Sequence, residues 1–196
     1  MKTSYIVIGV ILFILLIGGC GGISSYNKMV SLDETVKAKW GTVQASYQRR
    51  SDLIPNLVAT VKGAANFEKS TLVDVTNARA KATSIQVDPT KLTPEKIQEF
   101  QAAQGQLTSA LSRLLVASEK YPDLKATQNF SDLQSSIEGS ENRINVSRMD
   151  FNNAVQDYNT KIRSFPSNII AGMGGFKEKG SFTAEPAAQN APKVQF

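Results

Sequence analysis

Residues 130–165 read FSDLQSSIEGSENRINVSRMDFNNAVQDYNTKIRSF, and Phe130, Leu133, Ile137, Glu141, Ile144, Arg148, Phe151, Val155, Tyr158, Ile162 and Phe165 recur through them in steps of three and four. Such a stripe lies on one face of a helix, and its mean step is close to the 3.5-residue period of bundle packing. Pro166 ends it. Two more stripes share the pattern. One runs Ile97, Phe100, Gln104, Leu107, Leu111, Leu114, Ser118, Tyr121, opened by Thr93-Pro94-Glu95 and stopped by Tyr121-Pro122-Asp123. Thr93 supplies an N-cap, Pro94 suits a first helical position, and Glu95 complements the positive end of the helix dipole. The other runs Ile54, Leu57, Val61, Ala64, Glu68, Leu72, Val75, Arg79, Ala82, and Asp88-Pro89 closes it.

A further helix is expected from about Ser31 to Arg50, on Leu32, Val36, Trp40, Val43 and Tyr47. Pro55 follows, and proline is tolerated in a first turn but not within a helix. A chain reversal is therefore placed at Ser51-Asp52-Leu53-Ile54-Pro55, with a kinked continuous helix as the alternative. Strand signals are nearly absent. The expected fold is all-α: an up-and-down antiparallel four-helix bundle behind an N-terminal membrane helix.

That membrane helix rests on the first residues. Tyr5–Ile23 holds nineteen residues without a charge, including the run Ile6–Ile17, and a spanning helix needs about 20. A second anchor fits the same stretch. Lys2, the apolar run and Gly18-Gly19 compose a secretory signal, and Ile17-Gly18-Gly19-Cys20 resembles a lipoprotein cleavage box with Cys20 as the lipidation candidate. Either way the product stays on a membrane. Lys28, Lys37 and Lys39 favour a cytoplasmic domain for an uncleaved helix, whereas a lipoprotein requires the opposite side. The domains follow: residues 1–25 as anchor, 26–166 as helical bundle, and 167–196 as a tail. The tail's Gly172, Gly174, Gly175, Gly180, Pro186 and Pro192 read as a flexible extension that cannot pack a core. Only Ile169–Met173 and Phe176 are apolar enough to dock, and order is expected to fade beyond Phe182.

Composition removes several functions. The chain has no histidine, which excludes His-dependent triads, the Glu-x-x-His pairs of di-iron bundles and the usual zinc sites. Cys20 is the sole cysteine, so no internal disulfide can form. The net charge of +5 is spread along the chain and fits weak attraction to anionic lipid rather than nucleic-acid binding. No cofactor, metal or enzymatic activity is expected.

Two groups of polar residues stand out. Glu68, Arg79, Glu141 and Arg148 fall on apolar stripes. They sit either at the stripe margins with their heads in water or as an interior polar layer of Glu–Arg pairs that fixes register. Arg49, Arg50, Asp52, Pro55 and Asn56 gather at the membrane-distal end. There Asp52 can cap a helix, and the arginines offer a contact patch for a partner, another subunit or an opposing anionic membrane.

The ordered blocks Tyr26-Asn27, Trp40, Arg49-Arg50-Ser51-Asp52-Leu53-Ile54-Pro55-Asn56-Leu57-Val58, Tyr121-Pro122-Asp123-Leu124-Lys125-Ala126, Glu141-Asn142-Arg143-Ile144, Tyr158-Asn159 and Phe165-Pro166 resemble the LemA family of bacterial membrane proteins. The chain departs from the family pattern at Ala64-Ala65, at Phe67, where relatives carry His, and at Phe151, where Tyr is frequent. The resemblance implies a single-pass anchor bearing a four-helix bundle. It also implies a membrane-organising role without established enzymatic activity, one branch being associated with magnetosome membrane formation. The expected partners are membrane lipids, further copies of the chain as a homo-oligomer, and an unidentified protein.

Overall fold

The computed structural model describes residues 2–63 and 67–183, with side chains from residue 21 onward. Every regular element among them is a helix: α1 (Lys2–Lys62), α2 (Lys69–Ser84), α3 (Pro94–Ser118), the single turn α4 (Pro122–Lys125), α5 (Gln128–Arg163) and α6 (Ser167–Gly174). The expected reversal at Ser51–Pro55 does not occur. α1 runs through Pro55 without a break to Lys62, and the next helix starts only at Lys69. Proline at 55 deprives the Ser51 carbonyl of its usual donor four residues on. The Arg79 side chain of α2 supplies a substitute, Nε donating to that carbonyl at 2.9 Å. Residues 54–62 therefore end the first helix, and the second expected stripe is divided between α1 and α2.

The apolar stripes meet in two layers. Nearer the N-terminal segment, Met29, Val36, Trp40, Val43 and Tyr47 of α1 pack with Ile97 and Phe100 of α3 and with Ile144, Phe151, Val155, Tyr158 and Ile162 of α5. Farther out, Ile54, Leu57 and Val61 join Val75 and Ala82 of α2, Leu107, Leu111 and Leu114 of α3, Leu124 of α4, and Phe130 and Ile137 of α5. α5 enters through the far layer and leaves through the near one, so it runs antiparallel to α1, as α2 does to α3. Trp40 and Phe151 are fully buried, and each large apolar side chain buried this way stabilises the fold by roughly 1.5–3 kcal/mol. α3 begins on its expected cap: Thr93 Oγ1 accepts from the Lys96 N–H at 3.4 Å, with Pro94 in the first turn.

The tail keeps its expected docking segment, Ile170 and Phe176 packing on the core, but not its expected looseness. α6 folds back beside the start of the described part of α1, and Gly175, at φ 72°, releases the chain into an extended strap, residues 176–183. The strap is packed rather than loose, and Phe182 is a core residue. Gly180 is required where it passes α3, since a Cβ there would lie 2.5 Å from Pro94 Cα. Residues 184–196, on which the loss of order was expected, lie outside the described residues. So does the side chain of Cys20.

Candidate functional site

Two polar constructions cross the interior, and the sequence signals foresaw neither in full. The first centres on Arg50. Assigned by its sequence to an outward patch, Arg50 is buried, with 1% of its surface exposed. It follows Tyr47 by three residues and precedes Ile54 by four, so an unbroken α1 turns it inward. Its Nη1 donates to Glu141 on α5 and, at 2.8 Å, to Thr108 Oγ1 on α3. Nη2 donates to Gln104 Oε1 at 2.7 Å, and the guanidinium lies over the Tyr47 ring, 5.2 Å from its centroid. Gln104 in turn donates to the Ala82 carbonyl at the end of α2, at 3.3 Å. One side chain thus links α1 to α3 and α5 directly and to α2 at one remove. Burial pushes the Tyr47 hydroxyl up from its ordinary pKa, against the opposing charges of Arg148 and Arg50. The Arg50 Nε and the neighbouring Ser51 Oγ, both buried, have no hydrogen-bond partner among the described residues.

The remaining members of that expected patch face outward. Arg49, Asp52, Pro55 and Asn56 are exposed on α1, and Asp52 accepts from Gln48 within the helix instead of capping a new one. The expected polar layer is also rearranged. Glu141 pairs with Arg50 and not with Arg148, whose guanidinium sits 4.7 Å above the Phe182 ring. Arg79 serves the Ser51 carbonyl. Glu68 is exposed just before α2 and accepts from Ser70 at 3.1 Å. Glu68 and Glu141 are therefore not brought together. Among the described residues no group of three or more His, Cys, Asp or Glu side chains is placed to hold a metal ion.

The second construction holds the strap. Three side-chain amides each grip one backbone residue at two points. Asn152 donates to the Phe182 carbonyl and accepts its N–H, both at 2.9 Å. Asn159 does the same for Lys179, at 2.8 and 3.0 Å, and Gln101 for Thr183, at 2.8 and 3.2 Å. The Tyr158 hydroxyl donates to the Lys177 carbonyl at 3.0 Å. Burial, the largest influence, pushes its pKa up to about 12. Between these grips Phe182 inserts among Trp40, Phe100 and Phe151, with ring centroids 5.6–6.4 Å apart. Lys179 reaches Asp33 of α1 at 2.8 Å, with 8% of its side chain exposed. Burial raises the Asp33 carboxyl, but the bonds and charges of Lys179 and Lys37 outweigh it and hold the pKa below the ordinary value. The strap so ties α1, α3 and α5 together in the near layer, as Arg50 does at the boundary between the layers. Asn152 and Asn159, seven residues apart on α5, were the available signal for it.

Both constructions lock helices in register, and neither displays a nucleophile with an adjacent base. Magnetosome protein MamQ 2 of Paramagnetospirillum magneticum is 27% identical over 179 residues, 83% of this chain and 66% of the relative. MamQ of Magnetospirillum gryphiswaldense is 26% identical over the same shares. Protein LemA of Metamycoplasma hominis is 27% identical over 145 residues, 74% of this chain and 63% of that protein. The chain thus spans about two thirds of the length of the relatives it matches. The model of the LemA family matches residues 39–196, most of the chain, and the chain belongs to that family.

Proposed function

We propose that this chain is a non-enzymatic scaffold anchored in the bacterial cell membrane by a single N-terminal pass. Its four long helices form a bundle that self-associates and organises or remodels the membrane that holds it. The observation that carries the reading is the continuity of α1. The same helix that begins at Lys2 and includes the apolar run supplies Trp40, Arg50 and Leu57 to the core. A rigid stalk of this kind transmits the position of the bundle to the bilayer, which a scaffold needs and a freely tethered enzyme does not. Among the described residues no helix is long and apolar enough to cross a membrane, and the side chains of residues 2–20, on which the span rests, lie outside them. The magnetosome relatives support a role at a membrane.

Light scattering and electron microscopy of the full-length chain in mild detergent test the proposal. A discrete assembly larger than a monomer is the expected result. A monomer would overturn self-assembly. It would favour the second reading, which the Ile17-Gly18-Gly19-Cys20 box supports: a surface lipoprotein acylated at Cys20 whose bundle binds a protein or peptide. Mass spectrometry of the mature N-terminus separates the two anchors, because retained Met1 and acylated Cys20 exclude one another.

A further inference from the structure

α6 carries apolar side chains on both of its faces, and only one face is covered. Ser167 and Ala171 are buried and Ile170 partly so, Ile170 Cδ1 lying 3.9 Å from the position a Cβ on Gly22 would take. Phe176, just beyond the helix, packs edge-on against Tyr26, with ring centroids 5.4 Å apart. The opposite face presents Ile169 and Met173, one turn apart, and Phe165 stands in the turn that precedes the helix. They are 57%, 85% and 82% exposed. A helix at a water-facing surface places charged or polar residues there, yet between Asn168 and Gly174 no other side chain is polar. Ile23 and Tyr26, at the same height on α1, are also exposed.

The position of this face along α1 identifies what covers it. Gly22 is the last residue but one of the uncharged segment Tyr5–Ile23, whose length at 1.5 Å per residue just reaches across a hydrocarbon core of about 30 Å. The zone between the hydrocarbon edge and bulk water is roughly 5–8 Å deep on each side of a bilayer. On the membrane-anchored reading, α6 therefore packs on α1 where the hydrocarbon meets the headgroups. The two anchors give the same level, since an acylated Cys20 would bring its lipid to within two residues of Gly22. Cations stand nearby for lipid phosphates: exposed Lys28, and Lys161, whose ammonium donates to Ser25 Oγ at 3.4 Å, while Arg163 already pairs with Glu178 at 3.5 Å.

We infer that α6 is a second, interfacial membrane contact, lying in the headgroup layer beside the anchor with Phe165, Ile169 and Met173 among the upper acyl chains. This rests on the membrane-anchored reading above and specifies how the anchor is oriented. One helix through a bilayer leaves the bundle free to tilt and rotate. A second contact, offset from the first, fixes which face of the bundle meets the membrane and which is left for neighbouring copies.

The test uses the full chain made by cell-free synthesis into vesicles of mixed phosphatidylcholine and phosphatidylserine, with Cys20→Ser removing the native thiol. Single cysteines introduced as Ile169→Cys, Met173→Cys, Leu12→Cys and Asn56→Cys carry an environment-sensitive fluorophore. The labels at 169 and 173 are expected to emit blue-shifted, to be quenched by lipids bearing a nitroxide high in the acyl chain, and to be shielded from aqueous iodide. Asn56→Cys should show the reverse. Lipid quenching at position 12 with free iodide access at 169 and 173 would overturn the interfacial contact while leaving the anchor standing. Shielding from both iodide and nitroxide lipid at 173 would overturn it in favour of a second copy covering α6. Iodide access at position 12 would remove the anchor itself, and the inference with it.

Discussion

The Arg50–Glu141 pair is shared by two residues in unequal surroundings, and the inequality predicts which one the fold misses more. Arg50 has 1% of its side chain exposed and Glu141 32%. Removing Glu141 strands a fully buried guanidinium, whereas removing Arg50 leaves a carboxylate that water already reaches. Glu141→Ala is expected to cost about 3–5 kcal/mol, the usual loss on breaking a buried pair, and Arg50→Met clearly less, because Met keeps most of the apolar stem. Urea denaturation midpoints of the two variants decide it, and a larger loss for Arg50→Met would contradict the assignment. Pro55 supports a second prediction. If Arg79 replaces the donor that Pro55 lacks, Arg79→Met leaves the Ser51 carbonyl unsatisfied and costs about 1–3 kcal/mol. In a Pro55→Ala background the helix bonds that carbonyl itself, and the same substitution should cost much less. Equal costs in both backgrounds would show that Arg79 does not compensate for the proline. At this scale the sequence was legible but misread at one point. The stripe Val43, Tyr47, Arg50, Ile54, Leu57, Val61 continues through Pro55 without a change of step. Weighing the proline above the periodicity ended the helix at Arg50 and turned that arginine outward. The rescuing Arg79 lies 28 residues away, beyond the reach of a local rule.

Among the elements, the strap departs furthest from its composition. Four glycines and three prolines after α5 resemble a loose extension, and the segment between them has no periodicity to read. Its order comes from partners distant in the chain: Asn152 and Asn159 on α5, Gln101 on α3 and Asp33 on α1. The helices, by contrast, were legible because each carries its own signal, as the cap at Thr93 and the stripe of α5 show. The strap's ion pair gives it a pH dependence. The Asp33 pKa is depressed in the fold, so its contribution is present above the unfolded value, near 3.9, and is lost as pH falls through the lower folded value. Asp33→Asn should therefore lower the urea midpoint at pH 7, and the gap from the unaltered chain should close below about pH 4. A gap unchanged down to pH 2 would mean that the carboxylate's charge does not hold Lys179. Phe182→Ala tests the apolar half of the clamp. Phe182 is 5% exposed, and truncating a buried Phe costs about 3–5 kcal/mol. Amide exchange at Lys179 and Phe182 should accelerate well beyond that of the distal layer, because the Asn152 and Asn159 grips protect those N–H groups only while the strap is seated. Uniform acceleration throughout the chain would show instead that the strap does not open separately.

For the molecule as a whole, the continuity of α1 fixes a dimension. From Ile23 to Lys62 the helix advances 39 residues, about 58 Å at 1.5 Å per residue. Arg50, about two thirds of the way up, and the strap below it each bind α1 to α3 and α5, so the stalk cannot bend without breaking one of two buried polar constructions. The interfacial contact of α6 would further resist tilting at the base. The full chain in a supported bilayer should therefore form a protein layer close to that height by neutron reflectometry, with Lys62 at its outer edge and Arg49, Asp52 and Asn56 on its flank below. Inserting a flexible Gly-Ser segment after Tyr26 should lower the layer and broaden it, because the bundle would then hang from a hinge. It should also dissolve any ordered assembly seen by electron microscopy, since neighbouring bundles could no longer share one orientation to the bilayer. A thin layer in the unaltered chain would mean that the bundle lies flat on the membrane. The Lys62 end of α1 would then no longer be membrane-distal, and the long side of α5 would become the surface available to a neighbouring copy.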